Sequence, residues 1–272
     1  MRILIRPLLA LVSIFILTAH SHANVSDEFP VRKLYPAVPY IELDTLHAER
    51  NKVIIVDVRS SYEYQTLRIK GALNIPLASK TYIADIKKLR ADNPKSKIVV
   101  YCNGKTCKKS YKAVQKCRDH SIDNIVAYDA GIMDWAKKYP NESVLLGQSP
   151  INPAHLISKD AFKTKQIDPL KFEEMAGASD VIVLDVRDSF QREALSLFPG
   201  IDNRAFLDDT KSIQAFVDKA KREKKKLLIY DAAGKQVRWL MYSIESTGFK
   251  DYYFMKGGSL AYFAALRKQF IN

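Results

Sequence analysis

The chain repeats itself, and that repeat constrains the fold more than any other feature of the sequence. Val53-Ile54-Ile55-Val56-Asp57-Val58-Arg59-Ser60 returns as Val181-Ile182-Val183-Leu184-Asp185-Val186-Arg187-Asp188, and Ile98-Val99-Val100-Tyr101 returns as Leu227-Leu228-Ile229-Tyr230. Asp57 and Asp185 are 128 residues apart, Tyr101 and Tyr230 are 129 apart, and two unrelated coincidences would not keep so close an offset. Gly71 with Gly200 and Gly131 with Gly258 extend the correspondence. A tandem duplication follows, and 272 residues suit two units of ordinary domain size.

Each repeated run is continuously β-branched and aliphatic rather than alternating, as a parallel strand covered on both faces requires. Between the runs lie helical stripes. Ile83, Ile86 and Leu89 share one face opposite Lys87, Lys88 and Arg90, and Ile213, Phe216, Val217 and Ala220 do the same against Lys219 and Lys221. Asp168-Pro169 reads as an N-cap followed by proline at the first helical position. The alternation predicts an α/β fold of two domains, each with a central parallel sheet flanked by helices. They are placed at 36–140 and 156–272. Residues 141–155, rich in breakers, are read as a linker over the surface.

Composition narrows the possibilities. With 47% hydrophobic and 27% charged residues, the chain can build cores, which excludes wholesale disorder and collagen-like repetition. Arg2 and Arg6 precede an apolar run from Leu8 to Leu17, and Ser21-His22-Ala23 supplies small residues after it. Residues 1–23 therefore read as a signal peptide, and the mature chain as periplasmic or secreted, with an uncleaved membrane anchor the lesser expectation. No later apolar stretch is long enough to span a bilayer. Lys and Arg total 43 against 30 Asp and Glu, a net charge of +13 that suits anionic partners. Without zinc-finger or RNA-binding spacing, no nucleic-acid role is expected.

The chemistry concentrates in Tyr101-Cys102-Asn103-Gly104-Lys105-Thr106-Cys107-Lys108-Lys109-Ser110. Cys102 directly follows a strand, at the end where α/β folds place ligands. The backbone N–H groups of the turn, the next helix N-terminus and Lys105, Lys108 or Lys109 would stabilise a thiolate and a bound anion. Beyond the signal peptide only His47, His120 and His155 remain, none in a motif, so this mechanism proceeds without a catalytic histidine. Cys102 and Cys107 do not supply a four-ligand metal site, and Cys117 shares an apolar helix face with Ala113 and Val114. No metal or organic cofactor is expected.

On these residues the chain resembles the tandem rhodanese-domain sulfurtransferases. The motifs are Asp57-Val58-Arg59, Gly71-Ala72-Leu73-Asn74-Ile75-Pro76, the loop 102–110 and Ala130-Gly131-Ile132-Met133-Asp134-Trp135. The resemblance implies that Cys102 accepts a sulfane sulfur as a persulfide and passes it to a thiol or cyanide. Asn103, Gly104, Lys105, Thr106, Cys107, Lys108, Lys109 and Ser110 would form the loop that holds a small anionic sulfur donor. Asp57 and Arg59 would brace the strand end, and Arg68 would add positive potential. Ser110 is read as a cap of the following helix or a bond within the loop, and Trp135 as core.

The chain also departs from the family. Lys109-Ser110 stands where an arginine-serine pair is common, displaced by two residues, and Leu67-Arg68-Ile69 replaces Gly-His-Ile. The second copy carries Asp231 at the position of Cys102, which predicts an inactive C-terminal domain whose carboxylate would repel an anionic donor; in the family the active copy is usually the C-terminal one. Cys107 keeps three readings: a disulfide partner that blocks Cys102 and calls for a periplasmic thiol-reducing protein, a resolving thiol, or a small loop residue. A thiol-disulfide redox protein and a non-enzymatic binding module stand as the alternative functions. A cysteine phosphatase is disfavoured because Lys108 lacks the planar fork of arginine.

Overall fold

The computed structural model describes residues 28–188 and 196–271. The expected signal peptide lies outside them. After α1 (Pro30–Leu34) and α2 (Leu43–Glu49), the first unit runs β1 (Val53–Asp57), α3 (Ser61–Thr66), β2 (Leu67–Ile69), β3 (Leu73–Asn74), α4 (Tyr82–Asp92), β4 (Lys97–Tyr101), α5 (Lys109–Arg118), β5 (Ile125–Tyr128), α6 (Gly131–Lys138) and β6 (Ser143–Leu145). The second runs α7 (Lys159–Thr164), β7 (Gln166–Ile167), α8 (Pro169–Ala176), β8 (Val181–Asp185), β9 (Asp202–Arg204), α9 (Thr210–Glu223), β10 (Lys226–Tyr230), α10 (Val237–Ser246), β11 (Tyr252–Met255) and α11 (Gly258–Ile271).

The two sheets have one design. The first is ordered β3-β1-β4-β5 and the second β9-β8-β10-β11-β7, with every pairing parallel. Where β7 flanks β11 in the second sheet, the first has a parallel bridge from Tyr40 to Ala127. The continuous apolar runs occupy the sheet centres: Ile98 to Tyr101 and Leu227 to Tyr230 are fully buried, as strands covered on both faces must be. The helical stripes face inward. Ile86 is buried with Ile83 and Leu89 packed beside it, as are Ile213, Val217 and Ala220 on α9. Asp168 caps α8, accepting the Leu170 N–H at 3.1 Å.

Part of the expected surface linker is not a surface segment. Ser143–Leu145 form β6, buried and antiparallel to β2, with Leu67 opposite Leu145. Breakers mark where a chain turns; they carry no information about a pairing partner far upstream. Across the units, α3 packs on α10, and Tyr62, Trp239 and Leu240 belong to one apolar core that continues through both sheets. No helix of the described residues is long and apolar enough to cross a membrane.

The strand registers set the C-terminal edges of both sheets. Asp57 stands opposite Tyr101, and Asp185 opposite Tyr230. Each aspartate then takes the arginine two residues on: Arg59 reaches Asp57 at 2.5 Å and Arg187 reaches Asp185 at 2.8 Å, all four side chains being buried. Removing one partner of such a pair leaves an uncompensated charge, which costs about 3–5 kcal/mol. An Asp185→Ala chain is therefore expected to lose stability on that scale in chemical denaturation, and a loss below about 1 kcal/mol would contradict the anchoring role of the pair.

Candidate functional site

β4 delivers Cys102 to the sheet's C-terminal edge, and three contacts fix the loop that follows. The Cys102 carbonyl accepts the Ile132 N–H at 3.0 Å, and the Gly104 carbonyl accepts the Cys107 N–H at 2.8 Å. Gly131, at a left-handed φ of +70°, lies so close that a Cβ there would stand 2.4 Å from the Gly104 nitrogen. Gly258 presses on the second copy's loop in the same way, 2.4 Å from the Asp231 carbonyl oxygen. The glycine repeat seen in the sequence is thus a close backbone approach that only glycine permits.

Cys102 and Cys107 are joined as a disulfide, with Cα atoms 6.5 Å apart. The two halves are placed differently: Cys102 is only 1% exposed, whereas Cys107 is partly exposed and lines a cleft of about 1040 Å³ between the domains. The Ser110 hydroxyl lies 3.9 Å from Cys102 Sγ. Ser110 sits inside α5 rather than at its cap, a position held by Lys108. Cys117 is fully buried beside the Tyr82 hydroxyl at 3.5 Å, and burial pushes its thiol pKa up.

Beneath the loop a polar relay links the strand end to the cleft. Arg59 donates to Asn103 Oδ1 at 3.2 Å, and Asn103 donates to Glu63 Oε1 at 2.9 Å. Glu63 also closes a capping box with Ser60 and lies 3.6 Å from the Lys109 ammonium. Burial opposes ionisation of Glu63, but the Arg59 and Lys109 charges and its hydrogen bonds outweigh it and hold the carboxyl below its ordinary range. Asn103 standing between Arg59 and Glu63 needed the fold to become visible.

The lysines divide. Lys105, expected to hold a donor, instead bonds Glu28 and lies 3.0 Å from Asp134, and Glu28 above all raises its pKa. Lys108 and Lys112 line the cleft with no side-chain partner among the described residues, and Lys235 joins them from the second domain. Thr106 also lines the cleft, whereas Gly104 does not. Arg68 is on β2 with its guanidinium 5.0 Å over the Tyr64 ring, away from the cleft wall. His47 stacks on Tyr139, and His155 lines a separate groove of about 760 Å³ that holds no cysteine.

The second copy's loop faces the same cleft through Asp231, Ala232, Ala233, Lys235 and Gln236. Its carboxylate is buried and accepts five backbone N–H groups: Ala233 at 3.1 Å, Lys235 at 3.0 Å, Gln236 at 2.7 Å, Val237 at 3.2 Å, and Gly234. Its charge is therefore held by amides, which reduces the repulsion expected from the sequence. In the first copy the N–H groups of Lys108, Lys109 and Ser110, around the start of α5, donate to no acceptor among the described residues.

This duplicated α/β frame, with a loop held at the end of the central strand, defines a class of protein that the comparisons name. Residues 42–138 and 168–265 both match the rhodanese-like domain family, and the chain belongs to it. A tRNA uridine(34) hydroxylase of Bdellovibrio bacteriovorus is 26% identical over 101 residues, 37% of this chain and 28% of that protein. An HTH-type transcriptional regulator of Mycobacterium tuberculosis is 38% identical over 88 residues, 32% of this chain and 36% of that one. The chain thus spans about a third of the length of these curated relatives. The crystal structure of a thiosulfate sulfurtransferase from Pseudomonas aeruginosa is 20% identical, with a TM-score of 0.38, over 88% of this chain and 46% of that one.

Glu63 gives the site a pH signature. A carboxylate held below its ordinary value of 4.5 stabilises the fold above that pH and loses the contribution as the pH falls through the folded value. Glu63→Gln keeps a capping-box side chain but cannot titrate. Denaturant titrations from about pH 5 to 3 should therefore show the stability gap between parent and variant shrinking as acid is added; a constant gap would mean that the ionised form is not favoured by the fold.

Proposed function

We propose that this chain is a rhodanese-type sulfurtransferase whose nucleophile is Cys102, with the N-terminal domain active and the C-terminal domain inactive. In the reduced protein the Cys102 thiolate attacks the sulfane sulfur of a small anionic donor such as thiosulfate. The donor's sulfur–sulfur bond breaks and its remainder leaves as an anion with the electron pair. An acceptor thiolate or cyanide then attacks the outer sulfur, and Cys102 leaves as the thiolate. This is covalent catalysis in two displacements.

The observation that carries the reading is the duplication itself. At the position of Cys102 the second copy holds a carboxylate bound by five amides. A persulfide on residue 102 is likewise an anionic group at the end of a short side chain, and the amides at the start of α5 are free to receive it. Lys108, Lys112 and Lys235 attract the donor to the cleft. Arg59 and Asn103 position the loop and take no part in bond making.

A thiol-disulfide redox role is the second reading, favoured by the Cys102–Cys107 bond. The two readings separate on reduced protein given a sulfane donor. Mass spectrometry should find one added sulfur on residue 102 early in the reaction of the wild type and none on the Cys102→Ser variant. The same adduct persisting on the variant would overturn the assignment of the nucleophile. In steady state, Lys108→Glu with Lys112→Glu should raise KM for thiosulfate several-fold while leaving kcat within about twofold, and high salt should erase the difference. An unchanged KM at low salt would remove these lysines from donor capture.

A further inference from the structure

The Cys102–Cys107 pair holds more than a blocked nucleophile. The loop turn at Gly104, whose carbonyl accepts the Cys107 N–H, brings Cys107 back beside Cys102, to which it is joined. Their Cα separation of 6.5 Å is within the usual range for bridged cysteines. Burial separates their roles: Cys102 is shielded, while Cys107 lines the cleft, so a thiol arriving from solvent meets Cys107 first.

From this placement we infer that Cys107 is a resolving cysteine, which discharges the Cys102 persulfide as hydrosulfide. The inference rests on the persulfide proposed above. The Cys107 thiolate attacks Cys102 Sγ, forming the Cys102–Cys107 bond. The bond from Cys102 Sγ to the outer sulfur breaks, and that sulfur leaves as hydrosulfide with the electron pair and one proton. The sulfane sulfur is reduced by two electrons and the two cysteines are oxidised by two. The product is the disulfide seen in the structure. A dithiol, either a small molecule or a dithiol protein, then attacks the accessible Cys107 Sγ, releases Cys102 as the thiolate and itself becomes the disulfide. The acceptor in this cycle is the enzyme's own second thiol, and the external substrate that follows the donor is a reductant.

The test is a single turnover on the full chain. Wild type, Cys107→Ser and Cys102→Ser are reduced, freed of reductant and mixed with thiosulfate, whose leaving group is sulfite; hydrosulfide is measured in the mixture, and the chains are then desalted for intact mass and peptide mapping. Wild type is expected to release one hydrosulfide per chain and to end two hydrogens lighter than the reduced protein, with residues 102 and 107 linked. Cys107→Ser is expected to keep one extra sulfur on Cys102 and to release less than a tenth as much hydrosulfide. Equal retention of that sulfur by wild type and Cys107→Ser, without hydrosulfide release from either, would overturn the resolving role and leave the persulfide reading standing. A Cys107→Ser chain that gains no sulfur on Cys102 would overturn the persulfide reading and this inference together.

Discussion

A guanidinium with no access to water sits between the strand end and the cysteine loop, and the site is organised around its charge. Arg59 is fully buried, and burial alone would disfavour its protonated form; the Asp57 charge and hydrogen bonds reverse that, so it stays a cation. Its remaining donors go to the Leu67 carbonyl at 2.5 Å and to Asn103, and its face lies 4.9 Å from the Trp239 ring of the second domain. One charge therefore ties β1, β2, the loop and the neighbouring domain. Satisfying a buried arginine demands fixed partners, and those partners define where residue 103, and with it residue 102, must be.

The duplicated unit provides its own control for which features serve structure and which serve chemistry. Arg187 pairs with Asp185 as Arg59 pairs with Asp57. Gly258 repeats the close approach of Gly131. These belong to the frame. At the position of residue 102 the copies differ in the loop: a cysteine with a second cysteine five residues on in one, and a carboxylate bound by five backbone amides in the other. An aspartate that collects five N–H groups ties its own loop together.

The frame was legible in the sequence because its signals are local and repeated. Continuous apolar runs, the stripes on α4 and α9, and the Asp168 cap each state a secondary structure within a few residues. The site was legible as far as the position of Cys102 at a strand end. Its wiring was not. Lys105 read as a free cation because Glu28 lies far upstream, and Asn103 bridging Arg59 to Glu63 depends on α3 meeting the loop in space. The breaker-rich stretch around β6 read as a linker because its partner β2 comes from the other end of the unit. Contacts of this kind follow from the packed topology, and nothing in residue type or spacing encodes them.

Both loops face one interdomain cleft, the cysteine loop from one wall and the Asp231 loop from the other. The cleft needs two walls, and which copy keeps the cysteine is not fixed by the architecture. The second wall still bears on the electrostatics. Asp231 is hydrogen-bonded by amides, Glu63 is engaged by Asn103 and Lys109, and Lys105 is committed to Glu28 and Asp134. Lys108, Lys112 and Lys235 line the cleft together with Asp188 and Asp208. Exposed charges of this kind act over roughly 10 Å at moderate ionic strength, a distance on the scale of the cleft itself. Lysine charges favour anions without fixing an orientation, whereas the short loop beside them has its geometry secured by Arg59.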